Sequence, residues 1–80
     1  MRALTVSDAL WATSMTPGGL LEAWRAPDGA QIDKGQAVAE VRIEGAIHEI
    51  LAPIGGLLVR SARVGDLVQP DDRIGWVADR

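Results

Sequence analysis

Few side chains in this sequence can do chemistry, and their spacing decides what each is worth. His48 is the only histidine, Lys34 the only lysine, and cysteine is absent. Without thiols, disulfides, thiol catalysis and Cys-based zinc sites are all excluded. A general base needs an orienting partner and a substrate site, and a catalytic zinc needs about three protein ligands. His48 has no such companions and reads as a strand residue with its ring at the surface. Asp28 and Asp71-Asp72 invite a cation site, but Pro70-Asp71-Asp72 is more simply a turn in which aspartate caps its own backbone. Ser7, Thr13, Ser14, Thr16 and Ser61 lie in no Gly-x-Ser-x-Gly arrangement. Gly18-Gly19 and Gly55-Gly56 open strands rather than helices, so they are not phosphate loops. Arg60 and Arg63 make only a small basic spot. No catalytic residue and no metal ligand set is expected, and the chain is not expected to be an enzyme.

The elements that must position these residues are bounded by length and composition. Eighty residues suffice for one domain, expected over residues 1–80, with one modest core. The hydrophobic fraction of 48% is globular rather than disordered. Trp11, Trp24 and Trp76 are the only aromatic residues, so aliphatic side chains must fill most of the core. Eleven acidic against eight basic residues leave a formal net charge of −3, which argues against nucleic acid and against an anionic membrane surface as partners. Asp8 interrupts the single apolar stretch near the start, so no signal peptide is read. No window approaches the ~18 apolar residues of a membrane helix. A cytoplasmic location is expected, in keeping with the absence of cysteine.

Glycine and proline punctuate the chain at short intervals, from Pro17-Gly18-Gly19 to Pro70-Asp71. The runs between them suit short strands joined by tight turns and leave little room for helices. Strands are expected at Ala3–Val6, Gly19–Ala26, Ala37–Ile43, Ala46–Ala52, Gly56–Ala62 and Ile74–Ala78. Shorter pieces are expected near Ala30–Ile32 and Leu67–Val68. Ala9–Met15, halted by Pro17, reads as a loop. The two halves repeat. Gly19-Leu20-Leu21, Asp28-Gly29-Ala30-Gln31-Ile32 and Val38-Ala39-Glu40-Val41 are echoed by Gly56-Leu57-Leu58, Val64-Gly65-Asp66-Leu67-Val68 and Ile74-Gly75-Trp76-Val77. Two such units can pack face to face, each covering the apolar face the other cannot bury alone. Glu44-Gly45 between them is a hairpin tip, since glycine takes φ > 0 without steric cost.

Four stretches resemble the lipoyl domains of 2-oxo acid or acetoin dehydrogenase acyltransferases, within the biotinyl/lipoyl-attachment family. Met15-Thr16-Pro17-Gly18-Gly19-Leu20-Leu21-Glu22-Ala23-Trp24 is similar to the family's opening turn and strand. Asp28 to Val41 matches the next segment, through Asp33-Lys34-Gly35-Gln36-Ala37. Ala52-Pro53-Ile54-Gly55-Gly56-Leu57-Leu58 is similar to the step after the hairpin, and Val64-Gly65-Asp66-Leu67-Val68 with the closing strand completes the series. No single motif is specific, but their order and spacing together cover residues 3–78. The resemblance implies an all-β flattened barrel, a barrel-sandwich hybrid of two quasi-symmetric halves with six to eight short strands.

The family's function implies a lysine at the hairpin tip, amide-linked to lipoate or, in biotin carriers, to biotin. Here the aligned residues are Glu44-Gly45-Ala46. The acidic residue and the alanine have counterparts, but the lysine does not, so no cofactor is expected. Lys34, one residue before Gly35 in another turn, is the alternative carrier and lies off the tip. By the same resemblance, Glu44, Gly45 and Ala46 are candidate partner-binding residues. Trp11 joins them if its loop lies beside the tip, and otherwise folds back onto the core as an anchor. The expected role is a non-lipoylated accessory or interaction module whose partners are protein components of a dehydrogenase/acyltransferase complex, monomeric on its own. A third reading, a barrel like those of efflux adaptors, is disfavoured because Glu44-Gly45 leaves no space for their helical insertion. The chain opens on Met1 and ends at Arg80 just past the last strand, as a free-standing protein or a trimmed one equally would.

Overall fold

The computed structural model describes residues 1–12 and 14–79. Eight strands follow in order: β1 (Arg2–Thr5), β2 (Gly19–Trp24), β3 (Gln31–Ile32), β4 (Ala37–Ile43), β5 (Ala46–Leu51), β6 (Gly56–Arg60), β7 (Leu67–Val68) and β8 (Arg73–Ala78). They form two antiparallel four-stranded sheets, ordered β1-β8-β6-β3 and β5-β4-β2-β7. This is the flattened barrel-sandwich expected from the turn spacing and the resemblance.

The two orders are the same order written twice. β5, β4, β2 and β7 stand to one another as β1, β8, β6 and β3 do. The internal repeat of the sequence therefore becomes a quasi-symmetry of the fold. The halves also interlock. β3 of the first half pairs with β6 of the second, and β7 of the second pairs with β2 of the first. Each half thus completes the other's sheet as well as covering its apolar face.

The core is aliphatic, as the composition requires. Leu4, Val6, Leu21, Ile32, Val38, Val41, Ile43, Leu58, Val68, Ile74 and Val77 are buried to within a few per cent. Each such side chain contributes roughly 1.5–3 kcal/mol of transfer free energy. Along β4 the strict alternation breaks at Val38 and Ala39, which are both buried. A register shift against β5 between Ala37 and Ala39 accounts for it, because an extra residue in one strand turns two neighbours the same way.

The loop reading of Ala9–Met15 is corrected over its first part. Asp8–Trp11 is a 3-10 turn, capped by the Ser7 hydroxyl, which accepts the Ala9 N–H at 3.2 Å. Serine at a cap satisfies an otherwise free amide, and that local gain outweighs the shortness of the segment. Four strands stop earlier than expected: β1 at Thr5, β2 at Trp24 ahead of Pro27, β5 at Leu51 ahead of Pro53, and β6 at Arg60. At β2 and β5 the reason is proline, which offers no N–H to the ladder, so the residues before it leave the sheet.

Candidate functional site

The β4–β5 hairpin closes in the tightest way available. Ile43 pairs with Ala46, so Glu44 and Gly45 are the whole turn. Both have positive φ, 51° and 82°, the requirement of a type I′ turn. Glycine at the second position was legible as a turn signal. Glu44 in the left-handed region was not, because the residue type rarely adopts it.

The structure shows what accompanies that backbone. The Glu44 carboxylate accepts the Met15 backbone N–H at 3.1 Å. Ser14 Oγ accepts the Thr16 N–H at 3.1 Å and shares a 2.9 Å hydrogen bond with Thr16 Oγ1, which donates to the Gly18 carbonyl at 3.3 Å. The segment before β2 is thereby folded against the hairpin tip. Met15 stands beside it with its side chain 92% exposed. Sequence reasoning did not single out Met15 as a surface feature, and its apolar type argued the other way.

Gly45 faces open space. A Cβ built there would meet no atom within 4 Å. The tip consists of a carboxylate, a glycine and an alanine, all exposed, and none carries an amine. Lipoate or biotin needs a lysine to form its amide, so these residues do not fit the group that the family resemblance implies at this place.

Lys34 lies elsewhere. Its turn is closed by the Gln36 N–H to the Asp33 carbonyl at 3.0 Å, and the Gln36 side-chain oxygen accepts the Asp33 N–H at 2.9 Å. Gly35 donates to Ala52, just past the far end of β5. Lys34 and Gly45 therefore sit at opposite ends of β4, which is about 20 Å long at ~3.3 Å per residue.

Trp11 does not present itself as a contact residue. It is 9% exposed and packs in the core cluster, so the anchor reading describes its position. The physical reason is area: an indole this large is stabilised more by burial than a short turn can offset by exposing it. Its Nε1 has no partner among the described residues.

The remaining candidates resolve into structure. His48 is half-buried in β5, opposite Val41. Asp28 accepts the Arg60 N–H at 2.7 Å, and Asp72 accepts the Gln69 N–H at 2.8 Å. The Arg60 guanidinium lies over the Trp24 ring at 5.0 Å. Thr13 lies outside the described residues. Among the described residues, no group of three or more His, Asp or Glu could hold a metal ion. No helix there is long and apolar enough to cross a membrane. A shallow apolar groove of about 370 Å³ runs from Pro17 and Leu20 to Leu67 without a titratable group.

No protein-family model and no curated protein matches the sequence. Solved structures do match the fold. One is the solution structure of the lipoyl domain of the 2-oxoglutarate dehydrogenase complex from Azotobacter vinelandii, with a TM-score of 0.73 and 15% identity over 96% of this chain and 98% of that domain. Another is a single-chain, multi-domain long-chain acyl-CoA carboxylase, with a TM-score of 0.71 and 21% identity over 98% of this chain. This chain spans only 7% of that enzyme's length. At such identities the likeness concerns the fold, and the chain has the barrel-sandwich fold of a lipoyl domain.

Proposed function

We propose that this protein is a lipoyl-domain-like module without an acyl arm, serving as a non-enzymatic accessory or interaction partner in a 2-oxo acid or acetoin dehydrogenase-type complex. One observation carries the reading: the β4–β5 tip is built as a tight, exposed turn, yet its outermost residue is Gly45. A carrier needs both the presentation and the amine, and here only the presentation is kept. Glu44, Gly45 and Ala46, with Met15 beside them, then form a surface that engages protein components of such a complex without delivering a cofactor. Trp11 contributes from beneath, by holding the segment that precedes Met15.

The alternative carrier, Lys34, is disfavoured by its place at the far end of β4 in a turn of different construction. Intact mass of the protein from its native host tests the reading. The expected mass is that of the unmodified chain, apart from loss of Met1. A lipoyl or biotinyl increment on Lys34 would overturn it.

A further inference from the structure

Each sheet has two edges, and three of the four are blunted. β3 and β7 are two residues long, and β1 has four residues with a register shift at Leu4/Thr5. β5 is different: it has six residues, is free of proline and lysine, and is unpaired along its outer side. Unprotected edges of this kind template pairing with another extended chain.

The register says which groups are free. Ala46 is the first bonded partner of Ile43 across the two-residue turn, and bonding then alternates along the ladder. Ala52 continues the inward series, donating to the Gln36 carbonyl at 2.8 Å. Ile47, Glu49 and Leu51 therefore turn both N–H and C=O away from β4. Their side chains share the outer face of the sheet, with Ile47 44% and Leu51 53% exposed.

Charge identifies the occupant. Three carboxylates lie on this face of the sheet. Glu22 is held by Arg42 at 2.5 Å and Glu40 by Arg25 at 2.6 Å. Glu49 lies directly opposite Glu40, and no described cation pairs with it. We infer that β5 is a strand-addition site for an extended partner segment of pattern apolar–x–Lys/Arg–x–apolar, running antiparallel. Its basic residue sits opposite Glu49, and its apolar residues sit opposite Leu51 and Ile47. A second copy fits poorly: a two-fold β5–β5 pairing that matches Ile47 with Leu51 places Glu49 against Glu49, on a chain of net charge −3. The inference stands on the sheet edge alone and holds whether or not the barrel docks through its tip.

The test is an NMR titration of the 15N-labelled full chain with a blocked peptide Thr-Val-Thr-Lys-Thr-Val-Thr and with its Glu-centred counterpart. Shift changes and slowed amide exchange are expected at Ile47, Glu49 and Leu51, with the Lys peptide binding about fivefold more tightly. Glu49→Lys should reverse the order of the two peptides, and Glu49→Gln should bring their affinities together. N-methylating the peptide amides that face β5 should abolish binding. Any of four results would overturn the inference: no saturable shift at millimolar peptide, shifts clustered away from β5, equal affinity for both peptides, or β5 shifts that grow with the protein's own concentration in the absence of peptide.

Discussion

The two ends of β4 each carry a turn with an exposed, left-handed glycine, but the turns differ in construction and in use. At one end Gly35 has φ 86°, and at the other Gly45 has φ 82°; neither has an atom within 4 Å of a built Cβ. The first turn contains the only lysine and is closed by hydrogen bonds among its own residues and to Ala52. The second has no amine, but it projects from the barrel and is tied to Met15 through Glu44. The projecting tip and the only lysine are thus separated by the length of a strand. Under the reading proposed for this chain, the difference teaches that an exposed glycine turn does not make a carrier unless an amine stands on the turn that projects.

The largest effect that could break this comparison is all-or-none. Gly45→Lys, co-expressed with a lipoyl ligase, is expected to be partly lipoylated, while the parent and its Lys34 remain unmodified. Intact mass and peptide mapping read the result. A folded variant that takes no lipoate would show that the tip has drifted beyond carrier geometry, and would weaken the docking surface proposed for it.

Stability gives the next contrast. A Cβ at Gly75, inside β8, would lie 2.3 Å from the Val59 carbonyl oxygen, so the backbone must move to admit it. Gly75→Ala is expected to cost about 2–4 kcal/mol in urea unfolding. At Gly45 the space is open and only the left-handed φ opposes a side chain, so the Gly45→Lys barrel should lose about 1 kcal/mol. Equal losses at the two sites would mean that the tip is more constrained than its open surroundings indicate.

The smallest effect concerns the pair next to the tip. The hydrogen bond from Arg42 holds the Glu22 carboxyl below its ordinary value of 4.5. A depressed folded-state value contributes stability above the unfolded value, and that contribution is lost as pH falls through the folded one. Acid unfolding of Glu22→Gln should therefore be less steep below pH 4.5 than that of the parent. Arg42 is exposed and Glu22 only half-buried, so the change will be small and will shrink further with added salt.

Much of this was legible in the chain itself. The breakers mark out most of the strands, Ala37–Ile43 and Leu67–Val68 to the residue, because turn chemistry acts within four residues of itself. That the tip residues Glu44-Gly45-Ala46 carry no amine is likewise a local fact. What stayed hidden depends on neighbours distant in sequence. Whether Trp11 faced a partner or the core was left open by residue type, and the packing of two sheets put it inside. Glu44 adopts a positive φ and bonds to Met15 across 29 residues of chain. The interchange of β3 and β7 between halves, and the unpaired outer side of β5 with Glu49 unmatched upon it, exist only once the sheet order is set. Local sterics write turns into the sequence; edges, partners and burial come from how the two halves close on each other.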